Sequence, residues 1–229
     1  MGEGLLLGAF VGAYALAYGR GSWDEARTRR SHRELLRGTS AVLVLTALWG
    51  AVKLWGGPLQ LYGLFTLAGM AITFLGDLVT GGLISSRKPY VVAALVFGLG
   101  HFGYLASLWV VRAHFGVDAS PVPLGLAALF GLCVWAFLAR GGKISLGLAA
   151  LGYSAVLGSL LGGALVLGFA RDDMHLLALG VVFFSISDTL LGYREMQKAR
   201  WFLMYDMIWA FYIGGQACIV WNMVRVGGS

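Results

Sequence analysis

An all-α bundle of eight transmembrane helices is the fold class this sequence predicts, and three observations carry the prediction. The 229 residues are 59% hydrophobic and 12% charged, half the charged share of a soluble domain, about 25%. Apolar runs near span length, about 17–25 residues, follow one another along the whole chain. The 35 glycines suit close approach of helices in lipid, and only four prolines are present to break them. Spans are expected at 4–19, 38–56, 59–84, 90–111, 121–139, 144–169, 174–192 and 202–225, in a single integral membrane domain over 1–229.

The first run is the shortest. Glu3 precedes it and its basic cluster follows it, the reverse of a signal peptide, so it reads as a retained helix with its N-terminus outside. The segment 20–37 then carries Arg20, Arg27, Arg29, Arg30, Arg33 and Arg37. Alternate later loops carry Arg87 and Lys88, then Arg140 and Lys143, then Arg194, Lys198 and Arg200. Thirteen of the 17 Lys and Arg thus share one side, leaving Lys53, Arg112, Arg171 and Arg225 on the other. The positive-inside rule makes the basic side cytoplasmic, with both termini out, in a cytoplasmic membrane of bacterial type. The net charge of +6 is then a topogenic bias, and no nucleic acid is implied. Trp23, Trp49, Trp55, Tyr90 and Trp201 fall near span ends as an interface belt. Cys133 and Cys218 read as small core residues. Gly158 and Gly162 form a small-xxx-small pair that suits packing within the bundle, or against a partner chain.

The third, fourth, seventh and eighth spans carry the polar residues. Asp77 lies on the third about seven residues, roughly 10 Å, before its inner end, and Asp188 about four residues from the inner end of the seventh. The stretch Gly180 to Gly192, with Ser185, Ser187 and Asp188, is the most telling. An ionisable residue inside a span costs about 2.5–3.5 kcal/mol by insertion scales and marks a functional site by default. On the third span Thr66, Gly69, Thr73, Asp77 and Thr80 form one stripe. His101 shares a face with Tyr104 on the fourth. Tyr205, Trp209, Tyr212 and Gln216 share one on the eighth, with Asp206 near its inner end. Asp77 and Asp188 are 111 residues apart, as are His101 and Tyr212, and four helices separate each pair. That offset suggests a 4+4 parallel duplication about an axis along the membrane normal, which would bring the aspartates to one depth.

Each residue also has a structural reading. The aspartates can be a hydrogen-bonded pair or headgroup carboxylates, His101 a satisfied interior histidine, Tyr212 and Gln216 interhelical glue, and Asp206 a partner for Arg200. Glu195 reads as a loop charge beside Arg194 or Lys198. The functional reading is that two carboxylates in a dry chamber do not ionise alike, so one donates a proton while the other activates water. Such a pair suits cleavage through an oxocarbenium-like transition state. Only His101 of the four histidines lies at the right depth. No HxxxH or HExxH occurs, so no metal is expected. There is no Gly-x-Ser-x-Gly elbow and no P-loop.

Four stretches carry a resemblance. Phe74-Leu75-Gly76-Asp77-Leu78, Phe97 to Tyr104 around His101, Phe184-Ser185-Ile186-Ser187-Asp188 with the following leucines, and Tyr212-Ile213-Gly214-Gly215-Gln216 are similar in order and helix placement to the motifs of the YhhN family of eight-span membrane proteins, which includes lysoplasmalogenases. Lys53 is followed by Leu54 where the family has Lys-Pro, and Ile213 and Gly215 replace a tyrosine and an alanine. The resemblance implies hydrolysis of the vinyl ether of a lysoplasmalogen to a fatty aldehyde and a glycerophospho-headgroup, without a cofactor. Asp77 and Asp188 would be catalytic. His101, Tyr104, Tyr212, Gln216 and Asp206 would bind substrate. Arg87, Lys88, Arg194 or Lys198 would hold the phosphate. The partners implied are the lysophospholipid and membrane lipids. The rival reading is a proton-coupled transporter or lipid-binding protein, or a hydrolase of another ether or ester lysolipid.

Overall fold

Each long apolar run becomes an α-helix in the computed structural model, which describes residues 2–20, 36–85, 87, 89–118, 120–139, 144–199 and 204–227. The α-helices among these are α1 (Gly2–Arg20), α2 (Ala41–Lys53), α3 (Gln60–Thr80), α4 (Pro89–His114), α5 (Pro121–Ala139), α6 (Ile144–Ala170), α7 (His175–Gln197) and α8 (Met204–Val226), with a π turn at Leu36–Ser40 ahead of α2. No strand occurs among the described residues. Five helices, α3, α4, α6, α7 and α8, are long and apolar enough to cross a membrane, and α1, α2 and α5 contribute shorter apolar segments. Most of the basic segment 20–37 lies outside the described residues, as do Lys88, Arg140, Lys143, Arg200, Trp23 and Trp201.

Helix α2 is three residues shorter than expected at each end and α4 three longer at its C-terminus, and two other helix ends depart from the expected bounds by more. The third span was expected to run to residue 84, but α3 stops at Thr80. Gly82 takes φ +72°, and the N–H groups of Gly82 and Leu83 bond back to the carbonyls of Val79 and Leu78 at 3.1 and 2.9 Å. This is a Schellman closure, which needs a residue free to adopt left-handed backbone at Gly82. The seventh span was expected to end at 192, but α7 continues to Gln197 and stops where Lys198 turns left-handed. The apolar run ends at Gly192. The helix does not, because Tyr193 to Gln197 are adequate helix formers and carry the turns beyond the apolar stretch.

The bundle is built from three tight antiparallel pairs, α3 with α4, α5 with α6, and α7 with α8. Glycines set the spacing. A Cβ on Gly103 would lie 2.9 Å from the Cα of Gly69, and one on Gly180 2.8 Å from the carbonyl oxygen of Gly215. Gly158 packs in the same way under the carbonyl of Ala127 on α5, so the Gly158/Gly162 pair is used inside the bundle. α2 packs on both α3 and α8, and α6 on both α4 and α7. Tyr62, Met70, Tyr104, Leu157, Leu160, Phe184 and Ile213 are fully buried at the centre. Outward faces carry Leu95, Trp109 and Phe169 at 66–76% exposure, more large apolar surface than water tolerates and what a lipid-facing helix presents. Trp55 near a helix end is exposed, as an interface residue should be. Cys133 was expected in the core but is exposed. On α5 it is Ala127, Gly131 and Val134, at i, i+4 and i+7, that turn inward.

Candidate functional site

Asp77 and Asp188 line one pocket. It opens at the end of the bundle where α3 and α7 finish and α8 begins, and its wall is completed by Thr80, Phe97, Ser187, Leu191, Arg194, Tyr205, Ile208, Trp209 and Tyr212. Its volume is about 40 Å³ to the centres of water-sized spheres, room for a few waters. The depths differ from expectation. Because α3 ends early and α7 runs on, Asp77 sits three residues from its helix end and Asp188 nine, about 4.5 and 13 Å by helical rise. The two still reach the same chamber because α7 projects past the end of α3.

Hydroxyl groups orient both carboxylates. Ser40 Oγ and Tyr212 Oη each donate to Asp77 Oδ2 at 2.9 Å. Asp77 is 1% exposed, and both donors land on the same oxygen. On the facing side Tyr153 Oη, from α6, donates to Asp188 Oδ2 at 2.6 Å. The same oxygen lies 3.5 Å from His101 Nε2. His101 is fully buried, and neither ring nitrogen has a hydrogen-bond partner among the described residues. Its ring is held edge-on by Tyr153 and Phe184, with centroids 5.3 and 4.9 Å away. Small local movements at Asp188 would turn the 3.5 Å approach into a hydrogen bond.

Tyr104 and Gln216 form a layer behind the pocket. Tyr104 Oη donates to Gln216 Oε1. Gln216 Nε2 donates to Thr73 Oγ1 at 3.3 Å, and that hydroxyl bonds in turn to the carbonyls of Gly69 and Met70. Of the residues expected to bind substrate, then, Tyr212 lies on the wall, His101 touches Asp188 from behind, and Tyr104 and Gln216 brace α3 against α8. Asp206 is half-buried and off the wall. Tyr205 and Trp209, at i and i+4, turn inward on α8, and Asp206 lies about 100° round the helix from Tyr205.

Ser40 and Tyr153 were not anticipated. Ser40 is the third residue of the span expected at 38–56, and nothing in the sequence there sets it apart. Tyr153 is one hydroxyl-bearing ring in a helix of Gly, Ala and Leu, and the Tyr153-Ser154 pair was its one visible signal.

No curated protein and no solved structure matches the chain. The YhhN family model matches residues 33–223, a stretch that holds every residue of the pocket and of the layer behind it. The chain belongs to the YhhN family.

Proposed function

We propose that the chain is a membrane-embedded hydrolase of the lysoplasmalogenase kind, cleaving the vinyl ether of a lysoplasmalogen. The observation that carries the reading is the shared pocket of Asp77 and Asp188, two carboxylates from distant parts of the chain. Vinyl ether hydrolysis asks for such a pair. Protonation of the β-carbon gives an oxocarbenium ion, water adds to it, and the hemiacetal falls apart to an aldehyde and a glycerol hydroxyl.

Asp77 is the proton donor. Both hydroxyls that bind it use Oδ2, leaving Oδ1 for the proton, and among the described residues no cation hydrogen-bonds to it. Asp188 is the partner that takes a proton from the attacking water, and His101, 3.5 Å from its Oδ2, backs it on the side away from the pocket. In the hemiacetal a proton moves from the new hydroxyl to the departing glycerol oxygen. Transfer from Asp188 to Asp77 through pocket water then restores the starting state.

The duplication has support in the same contacts. Asp77 on α3 meets Tyr212 on α8, and Asp188 on α7 meets His101 on α4. A shift of 111 residues turns one pair into the other. The segment before each aspartate's hairpin also supplies its hydroxyl, Ser40 from the π turn that leads into α2 and Tyr153 from α6. In this reading eight helices span the membrane, and the pocket opens at the cytoplasmic end, where the basic loops gather.

The test is mass spectrometry of purified protein with three lysolipids that differ at the first glycerol carbon. The vinyl ether is expected to yield a long-chain aldehyde, and the saturated ether and the ester to stay intact. Intact vinyl ether would overturn the reading. Tyr153→Phe is expected to lower kcat about tenfold, the effect of losing a hydrogen bond to a charged group, with little change in KM.

A further inference from the structure

Arg194 lies on the wall of the pocket, two turns beyond Asp188 on the same helix. It is 7% exposed. Its guanidinium is stacked over the Tyr205 ring at 3.9 Å from the centroid. The adjacent Glu195 is 3.7 Å away, beyond hydrogen-bond reach, and the guanidinium makes no hydrogen bond among the described residues. Glu195 is thus an ion-pair neighbour at one edge of the guanidinium. Among the described residues the five guanidinium donors are left without a hydrogen-bonded acceptor, which is costly for a buried cation unless a further anion arrives.

We propose that Arg194 is the phosphate-binding residue of this pocket and takes the phosphodiester of a lysophospholipid headgroup, an inference that rests on the hydrolase reading. The guanidinium fork matches two phosphate oxygens, and stacking on Tyr205 fixes its plane in advance. The spacing fits. Six residues separate Asp188 from Arg194, a rise of about 9 Å, and a helical side chain leans back toward the N-terminus, here toward Asp188. In a lysophospholipid five covalent bonds separate the ether oxygen from phosphorus, about 6 Å at single-bond lengths of roughly 1.5 Å. A phosphate seated on Arg194 therefore leaves the ether at the carboxylates. Of the other cations considered for this role, Arg87 and Lys198 are exposed and off the pocket wall, and Lys88 lies outside the described residues.

The experiment is equilibrium binding to the full chain in neutral detergent. The probes are a saturated alkyl-ether lysophosphatidylethanolamine, which has no vinyl bond to hydrolyse, and the matching alkylglycerol without phosphate. Arg194→Gln is expected to weaken the phospholipid about tenfold or more, the range of a charge-assisted hydrogen bond, and to leave the alkylglycerol within about twofold. Arg194→Lys keeps the charge but loses the fork and should fall between. Equal weakening of both probes, or of neither, would overturn the assignment. Inorganic phosphate is the third probe. If it binds wild type as tightly as the lipid does, the site is one for free phosphate and not for a headgroup. Because binding needs no turnover, a failed hydrolase reading shows separately, as intact vinyl ether lipid with the Arg194 dependence retained.

Discussion

Asp77→Asn lowers kcat by about 10²–10⁴-fold, the usual worth of a positioned general acid or base, while the protein stays folded. The asparagine oxygen still accepts from Ser40 and Tyr212, whose hydroxyls hold the position in the wild type. What is lost is the proton. Asp188→Asn gives a loss of the same order for a different reason, since an amide cannot take the proton from water. The double variant is expected to be no worse than the poorer single one, because groups that act as a unit are not additive. Turnover of vinyl ether lysolipid by the purified variants, alongside thermal melting, checks this. A merely structural pair gives the opposite pattern, with melting lowered and turnover per folded molecule kept.

Much of the arrangement was legible in the sequence because lipid constrains it. Backbone groups in a bilayer must be satisfied within the segment, so an apolar run of sufficient length can hardly be anything but a helix. The cost of an ionisable group in a span singled out Asp77 and Asp188, and both line the pocket. Helical periodicity placed Tyr205, Trp209 and Tyr212 together, and all three line it too. The helix ends were less legible. Hydropathy finds where apolar residues stop, but hydrogen bonding decides where a helix stops. Gly82 closes α3 early, and Lys198 lets α7 run late. Those two shifts moved the depths of both aspartates.

The partners of the aspartates were the other gap. Ser40 and Tyr153 are ordinary residues in ordinary surroundings until α2 and α6 are placed in space. A hydroxyl is cheap enough in a span to raise no alarm. Asp206 shows the converse, because a charge is conspicuous in the sequence whichever way its helix turns it, and this one lies off the pocket wall.

The seam between α3 and α4 yields the other large effect, at a residue with no chemistry of its own. Gly103→Ala is expected to destabilise the protein by about 1–3 kcal/mol, the cost of overpacking a tight contact. The added methyl would lie 2.8 Å from the Gly69 nitrogen, 2.9 Å from its Cα and 3.1 Å from the Phe65 carbonyl oxygen. All three are backbone atoms, so no side chain can swing away and the helices must part. Parting them moves Asp77 on α3 relative to His101 on α4. A shift of about 1 Å in a catalytic geometry costs roughly 10²-fold in rate, so turnover should fall together with melting temperature. Gly98→Ala, five residues earlier on the same helix, is the control. Its Cβ would meet nothing within 4 Å, and alanine is the better helix former by about 0.5–1 kcal/mol. Gly98→Ala is therefore expected to melt no lower than wild type and to turn over normally. Equal behaviour of the two variants would show that close backbone contact at Gly103 does not set the position of Asp77.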